Sequence, residues 1–244
     1  LRKLHYILIL AALLPFIGCE NALGPQYAET LTIKSETKWR VSTVNDNKIS
    51  KVSYKTFNSN GDIISKIEYN QNGKVQSTSE YSYRNSIRTE HEVRYSNGDT
   101  IGILLHEYEL VNGRVVSRVT TNKAGDVIDN EQLIYDNNGN VTEIVRCENG
   151  DGCDNRTKFD NQYENGNLKV RFTYESDGTV AQKDSIVYST TENYFEKITT
   201  DEKGNVFFTT GYSIDKDGRI KSEVLKNNIG TIVEKFIYEY TYFD

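Results

Sequence analysis

Past Pro25 the chain contains no proline, and past its first thirty residues it has no long apolar run, no sustained helical period and no cluster of lysine and arginine. Each absence excludes something. Without a helical period the chain has no helices to lay over a sheet, so a layered α/β plan is ruled out. Without a basic cluster, and with a net charge of −6, nucleic acid is excluded as a partner, as is electrostatic capture by anionic lipid. Histidine and cysteine are scarce, at three each. There is no Gly-x-Ser-x-Gly elbow and no phosphate loop. We therefore expect a protein that is not an enzyme and carries no cofactor or metal.

What is present begins at the N terminus. Arg2, Lys3 and His5 precede an apolar run from Tyr6 to Ile17, the layout of a secretory signal peptide. The run is too short to cross a bilayer, which takes about 20 residues. Gly18 before Cys19, after Phe16 and Ile17, resembles the lipobox of bacterial lipoproteins. That resemblance implies a signal over residues 1–18, lipidation at Cys19, a tether over 19–30 and attachment to the outer membrane through the lipid. A diacylglycerol plus an amide-linked acyl chain holds a protein on its membrane, where a single chain binds only marginally. Leu1 stands where an initiator is expected, so a non-AUG start or a missing first residue is anticipated.

With Cys19 committed to lipid, Cys147 and Cys153 form an even pair in an exported chain, and a disulfide between them is expected. Their short loop, Glu148-Asn149-Gly150-Asp151-Gly152, closes little denatured-state entropy, so the bridge should pin a turn and add modest stability.

The rest of the chain, 31–244, is one repeating text. Tyr135-Asp136-Asn137-Asn138-Gly139-Asn140-Val141 has counterparts starting at Phe57, Tyr69, Thr121, Tyr174, Thr200 and Ile214, with a looser copy at Lys226. Asp or Asn three residues before Gly suits a type I turn closed by a left-handed glycine, the bulged hairpin loop. Asn97-Gly98, Asn112-Gly113 and Asn165-Gly166 are tight-turn signals. Turn-prone substitutes at 45–47, at Arg84-Asn85-Ser86, in the cysteine loop and at 191–193 complete a rhythm of about thirteen residues.

Between turns the chain alternates. Ile63, Ser65, Ile67 and Tyr69 share one face by simple parity, as do Leu168, Val170, Phe172 and Tyr174. The fold class is thus all-β, a long antiparallel meander of about 14–16 strands. One face is apolar and must be covered, and a round barrel of this size leaves a lumen its side chains cannot fill. A flattened or incomplete barrel or sandwich is therefore expected. A transmembrane barrel shares the alternation and the strand-end aromatics, such as Tyr69, Tyr83, Tyr95, Tyr135, Tyr163, Tyr174 and Tyr188. Against it, Glu107, Glu109, Asp129, Glu131, Glu143, Asp184, Glu196 and Glu234 fall near mid-strand on the apolar face.

The heptad at 135–141 and its variants resemble the YD repeats of Rhs-type proteins, and the plan is similar to the YD-repeat-like lipoproteins of Bacteroidetes. The likeness covers residues 48–242. It implies a continuous β-meander, hollow in the large Rhs proteins and porin-like in some small relatives, and it carries no catalytic residue over.

Remaining candidates are weighed on their chemistry. His91 and His106 lie in different strands without ligand spacing and are expected at the surface or rim. Glu107 with Glu131 is a conceivable glycosidase pair, and chance supplies such pairs among 35 acidic residues. Asp136–Asn140 and Asp215–Gly218 contain pieces of a calcium loop without its bidentate Glu, and turn chemistry explains them. The tyrosines and Trp39 suit either core filling or stacking on a glycan. The leading expectation is a noncatalytic envelope scaffold that binds or displays a protein or glycan. A carbohydrate-binding lipoprotein with a tyrosine-lined cleft and a membrane barrel follow as alternatives.

Overall fold

The computed structural model describes residues 32–43, 48–147, 155–189 and 193–243. The signal, Cys19, the tether, the turn at 45–47 and Cys153 lie outside the described residues. Sixteen strands follow one another: β1 (Ile33–Val41), β2 (Ile49–Phe57), β3 (Ile63–Tyr69), β4 (Val75–Arg84), β5 (Ile87–Ser96), β6 (Asp99–Val111), β7 (Arg114–Asn122), β8 (Val127–Tyr135), β9 (Val141–Cys147), β10 (Asn155–Glu164), β11 (Asn167–Tyr174), β12 (Val180–Tyr188), β13 (Tyr194–Thr200), β14 (Val206–Ile214), β15 (Ile220–Asn227) and β16 (Ile232–Tyr242). Every strand pairs antiparallel with its sequence neighbour, and β1 pairs with β16, so the sheet is a closed barrel.

The turns explain the repeated text. At the first copy the Asn58 side-chain oxygen accepts the N–H groups of Asn60 and Asp62, both at 2.9 Å. The Gly61 N–H reaches the Asn58 carbonyl at 3.0 Å, and Gly61 sits at φ 86°, where a side chain would be strained. Asn70, Asn122, Asp136, Asp201, Asp215 and Asn227 accept the same pair of N–H groups in their own turns. At tight turns Asn97, Asn112 and Asn165 take positive φ beside glycine.

These turns also insert a bulge, and the bulge changes which residues face inward. Residues opposed across an antiparallel pair share a face, so the register assigns every side chain. Ile63 pairs with Phe57 while Ser65 pairs with Thr56, leaving Ile64 as the extra residue. Ile63 therefore faces inward and Ser65 and Ile67 outward, contrary to simple parity. Leu168 is likewise inward, opposite Tyr163, while Val170 and Phe172 face out.

The two mouths of the barrel differ in consequence. At the mouth holding the turns at 58–62, 112–113, 136–140, 165–166 and 215–219, strand-opening Val115, Val141 and Leu168 are buried inward. There Tyr83, Tyr135, Tyr188 and Tyr240 each donate a hydroxyl to a carbonyl twenty residues earlier, on Ile63, Val115, Leu168 and Ile220, at 2.6–3.1 Å. At the other mouth Val75, Val127, Val206 and Ile232 occupy the corresponding motif position and are exposed, with Phe207 and Val233 beside them. We call these the tyrosine mouth and the collar mouth.

Closure overturns the expected incomplete barrel or sandwich, for a definite reason. Apolar side chains cover only part of the inner face. A solid apolar cluster, Leu168, Ile186, Phe195 and Ile214 with Tyr163, Tyr188 and Tyr212 against it, occupies one sector near the tyrosine mouth. Elsewhere the inner wall mixes buried Val115, Val141, Ile144 and Phe236 with polar and charged side chains, and most of it is only half-buried.

Candidate functional site

The inner wall from β4 to β9 is a belt of charge laid down by cross-strand register. One row runs Arg88, Tyr108, Arg118, Glu131, Arg146 across successive strands. A second runs Tyr81, Glu90, His106, Thr120, Asp129. A period-two strand places every second residue on this face, so the sequence of each row is set by bulges and turn lengths.

The belt is almost fully compensated. Arg118 meets Asp129 at 2.6 Å and Glu131 at 3.6 Å, and Arg146 holds Glu131 from the other side at 2.9 Å. His106 Nδ1 lies 2.9 Å from Thr120 Oγ1 and its Nε2 lies 3.1 Å from Glu92, whose two oxygens also take a two-pronged contact from Arg94. Glu90 accepts the hydroxyls of Tyr108 at 2.6 Å and Tyr81 at 2.9 Å. Burial alone would raise the Glu92 carboxyl, but hydrogen bonds from His106 and Arg94 outweigh it and bring it down to about 2. Burial also opposes the charge on Glu90, and bonds from Tyr108, Ser79 and Tyr81 again lower it. The phenols of Tyr81 and Tyr108 are pushed up by burial and by that same carboxylate. Beyond the belt, Lys38 pairs with Glu223 at 3.2 Å while lying 4.0 Å over the Phe236 ring, and Arg40 pairs with Glu234. Asp184 accepts the buried Thr199 hydroxyl at 2.6 Å and stands 4.0 Å from Lys197.

Such a wall favours the charged forms of Glu90 and Glu92 and keeps most of its cations paired, and it offers water or a polar solute a lining of hydroxyls and charge. Among the described residues no group of three His, Cys, Asp or Glu is placed to hold a metal ion.

The sequence candidates scatter. His91 faces outward and is exposed, whereas His106, expected at the surface or rim, is buried mid-wall because it falls on the inward parity of β6. Glu107 and Glu131 are not brought together: Glu107 is opposite Val119 on the outer face, while Glu131 is opposite Arg118 inside. Asp136 spends its carboxylate on its own turn and on Tyr163 at 2.5 Å and Asn161 at 3.2 Å, and Asp215 on its own turn. Of the eight mid-strand carboxylates, Asp129, Glu131, Asp184 and Glu234 face inward and are paired, while Glu107, Glu109, Glu143 and Glu196 stay outside. Cys147 ends β9 and is buried; its expected partner Cys153, like Cys19, lies outside the described residues. Trp39, Tyr54 and Tyr69 do cluster outside, half-buried, but the Lys51 ammonium sits over all three rings at 5.2–5.7 Å, on the face a sugar would stack against. The reach of tyrosine hydroxyls across the tyrosine mouth was missed. Its signal is the near-constant spacing of Tyr83, Tyr135, Tyr188 and Tyr240, four strands apart.

No family model matches the chain, and no curated protein matches it. Among solved structures, a porin-like protein from Bacteroides vulgatus ATCC 8482 is similar at 11% identity and TM-score 0.41, covering 86% of this chain and 99% of its own. A porin-like protein from Bacteroides uniformis ATCC 8492 gives 12% identity and TM-score 0.35 over 89% and 100%. The TcdB2-TccC3-Cdc42 structure gives 11% identity and TM-score 0.22, with 84% of this chain on 17% of that one. With overlays this loose and identities this low, what the chain does has to be read from its own residues.

Proposed function

We propose that the protein is a noncatalytic, porin-like barrel of the cell envelope, tethered by lipid at Cys19, whose closed wall encloses a polar lumen that takes up small polar solutes. The observation that carries this reading is closure combined with an inward charged belt: a sheet sealed by β1 and β16 and lined by compensated ion pairs is a vessel, not a display surface. Placing the barrel beside the membrane, and not across it, rests on its outer face. Glu107, Glu143, Lys183, Glu196 and Lys235 face outward well inside their strands, and a lysine at the hydrocarbon midplane costs about 2–4 kcal/mol.

A barrel that crosses the bilayer is the second reading, favoured by the exposed Ile, Val and Phe side chains of the collar mouth. One variant separates the two. Cys19→Ala should lose labelled palmitate and leave membranes on alkaline carbonate washing; retention in the lipid fraction would establish the crossing barrel. The lumen itself is tested with inward Ser53→Cys and Ser79→Cys against outward Thr78→Cys. A small charged maleimide should label all three, and a polymer-linked maleimide too large to enter should label only Thr78→Cys. Inward positions inert to both reagents in the folded protein would refute a solvent-filled lumen.

A further inference from the structure

The inner wall is almost fully charge-compensated, and Arg88 is a conspicuous exception. Lys38, Arg40, Lys55, Lys66, Arg94, Arg118, Arg146 and Lys197 each have a carboxylate within 4.0 Å. Arg88 has none among the described residues. Its guanidinium lies 4.2 Å over the Tyr108 ring and 6.0 Å from that of Tyr81; its Nε is buried without a hydrogen-bond acceptor, as are those of Arg40 and Arg118, so the missing carboxylate is what sets it apart. A guanidinium left without a carboxylate on an otherwise paired wall calls for a cause.

The surroundings supply one. Arg88 lines a cavity of about 560 Å³ at the tyrosine mouth, between the turns that join β2 to β3, β4 to β5 and β6 to β7. Phe57, Ile63 and Leu110 give it apolar walls, and Tyr83 stands at its edge with its hydroxyl already committed to the Ile63 carbonyl. Asp62 is the acid on the lining, and its carboxylate is engaged by the Asn58 amide at 3.0 Å. The cavity is thus an open cleft of small-ligand size that sets one planar guanidinium beside a partly apolar wall.

We infer that this cavity is a binding site for a small organic monocarboxylate, the carboxylate on Arg88 and the apolar body against Phe57, Ile63 and Leu110. The guanidinium fork matches a carboxylate in two parallel hydrogen bonds, and Tyr108 and Tyr81 hold it in place by stacking. Asp62 on the wall disfavours a second negative charge, which selects against phosphate and dicarboxylates. The site rests on the proposed function, because its ligand enters through a mouth of the lumen, and it gives the solutes of that lumen a chemical class.

The test is titration calorimetry of the full chain in detergent with hexanoate, and with hexanol and inorganic phosphate as comparators. Hexanoate should bind, hexanol and phosphate should bind at least about tenfold more weakly, and Arg88→Gln should weaken hexanoate about tenfold or more. Arg171→Gln, which removes an inward arginine bonded to Asn161 on another part of the wall, should leave binding unchanged. Because Arg88→Gln can perturb the stack, Arg88→Lys serves as a second variant: it keeps the charge, loses the fork, and should fall between wild type and glutamine. No heat with hexanoate, or equal binding by Arg88→Gln, would overturn the site. Failure of the lumen reading looks different: inward cysteines would resist the small maleimide while hexanoate still bound at the mouth.

Discussion

The same heptad closes the barrel's turns at both mouths, and the two mouths use it in opposite ways. At the tyrosine mouth the heptad's closing Val141 is buried inward at 9% exposure, as are Val115 at 2% and Leu168 at 1%, two places after the glycine of the tight turns. At the collar mouth its counterparts face outward, with Val127 at 46% and Ile232 at 43%. Between the heptad copies at Tyr135 and Thr121 the turn chemistry is the same, so what differs is the parity of the strand that arrives at the turn. Tyr135 reaches its turn on the inward phase and Thr121 on the outward phase, and the bulge passes that phase to the next strand's first residue. The difference teaches that a local motif fixes the shape of a turn while the alternation running through the whole meander fixes what that turn does for stability.

The sharpest way to break this comparison is to truncate the residue two places after the turn glycine at each mouth. Leu168→Ala removes a fully buried side chain from the Ile186, Phe195 and Ile214 cluster and should cost about 2–5 kcal/mol in urea unfolding of the full chain. Val127→Ala should stay within about 0.5 kcal/mol. Comparable losses at the two positions would mean that the mouths are equivalent and the register assignment is wrong. Next in size is the covalent pin expected beside the collar mouth. If Cys147 pairs with Cys153, intact mass under non-reducing conditions should show the bridge, and Cys153→Ser should lower stability by about 2 kcal/mol. A free thiol at Cys147 under those conditions would remove that pin. Smaller again is the tyrosine hydrogen bond. Tyr188→Phe should lose about 1 kcal/mol through its missing bond to the Leu168 carbonyl, and Tyr174→Phe, on the outer face, should lose almost nothing.

Much of the fold was legible because it is local. Asn58, Asp136 and Asp215 announce their turns through the spacing of one side-chain acceptor from glycine, and counting such turns yields sixteen strands. Three things were not legible. Face could not be read from parity alone, since each bulge shifts it by one; this is why one apolar face is expected to carry all eight mid-strand carboxylates, whereas the registers put Asp129, Glu131, Asp184 and Glu234 inside and Glu107, Glu109, Glu143 and Glu196 outside. The charge belt was hidden for the same reason: Arg88, Tyr108, Arg118, Glu131 and Arg146 lie on five different strands and meet only through four successive registers. Closure, too, is a single pairing of β1 with β16, between the two most distant strands of the chain, and no local pattern encodes it.

The mildest test separates the mouths by pH. Asp136 at the tyrosine mouth and Asp201 at the collar mouth cap the same turn, and both carboxyls lie below their ordinary value. For Asp136, burial opposes the charge and bonds from Tyr163, Asn140, Asn161 and Asn138 outweigh it; for Asp201 the Asn205 side chain contributes most. A depressed carboxyl contributes stability above its unfolded pKa of about 3.9 and loses it as pH falls through the folded value, so both mouths share an acid limb. Only Asp136 has a tyrosine donor. Burial and that carboxylate push the Tyr163 phenol up to about 12, and a raised group contributes fully below its unfolded pKa of about 10 and loses that contribution as pH rises through the folded value. Stability measured between about pH 10 and 12 should therefore fall less steeply in Tyr163→Phe than in wild type, and Asp201→Asn should change the acid limb alone. An alkaline limb unchanged by Tyr163→Phe would show that the hydroxyl between β8 and β10 stabilises neither its turn nor its mouth.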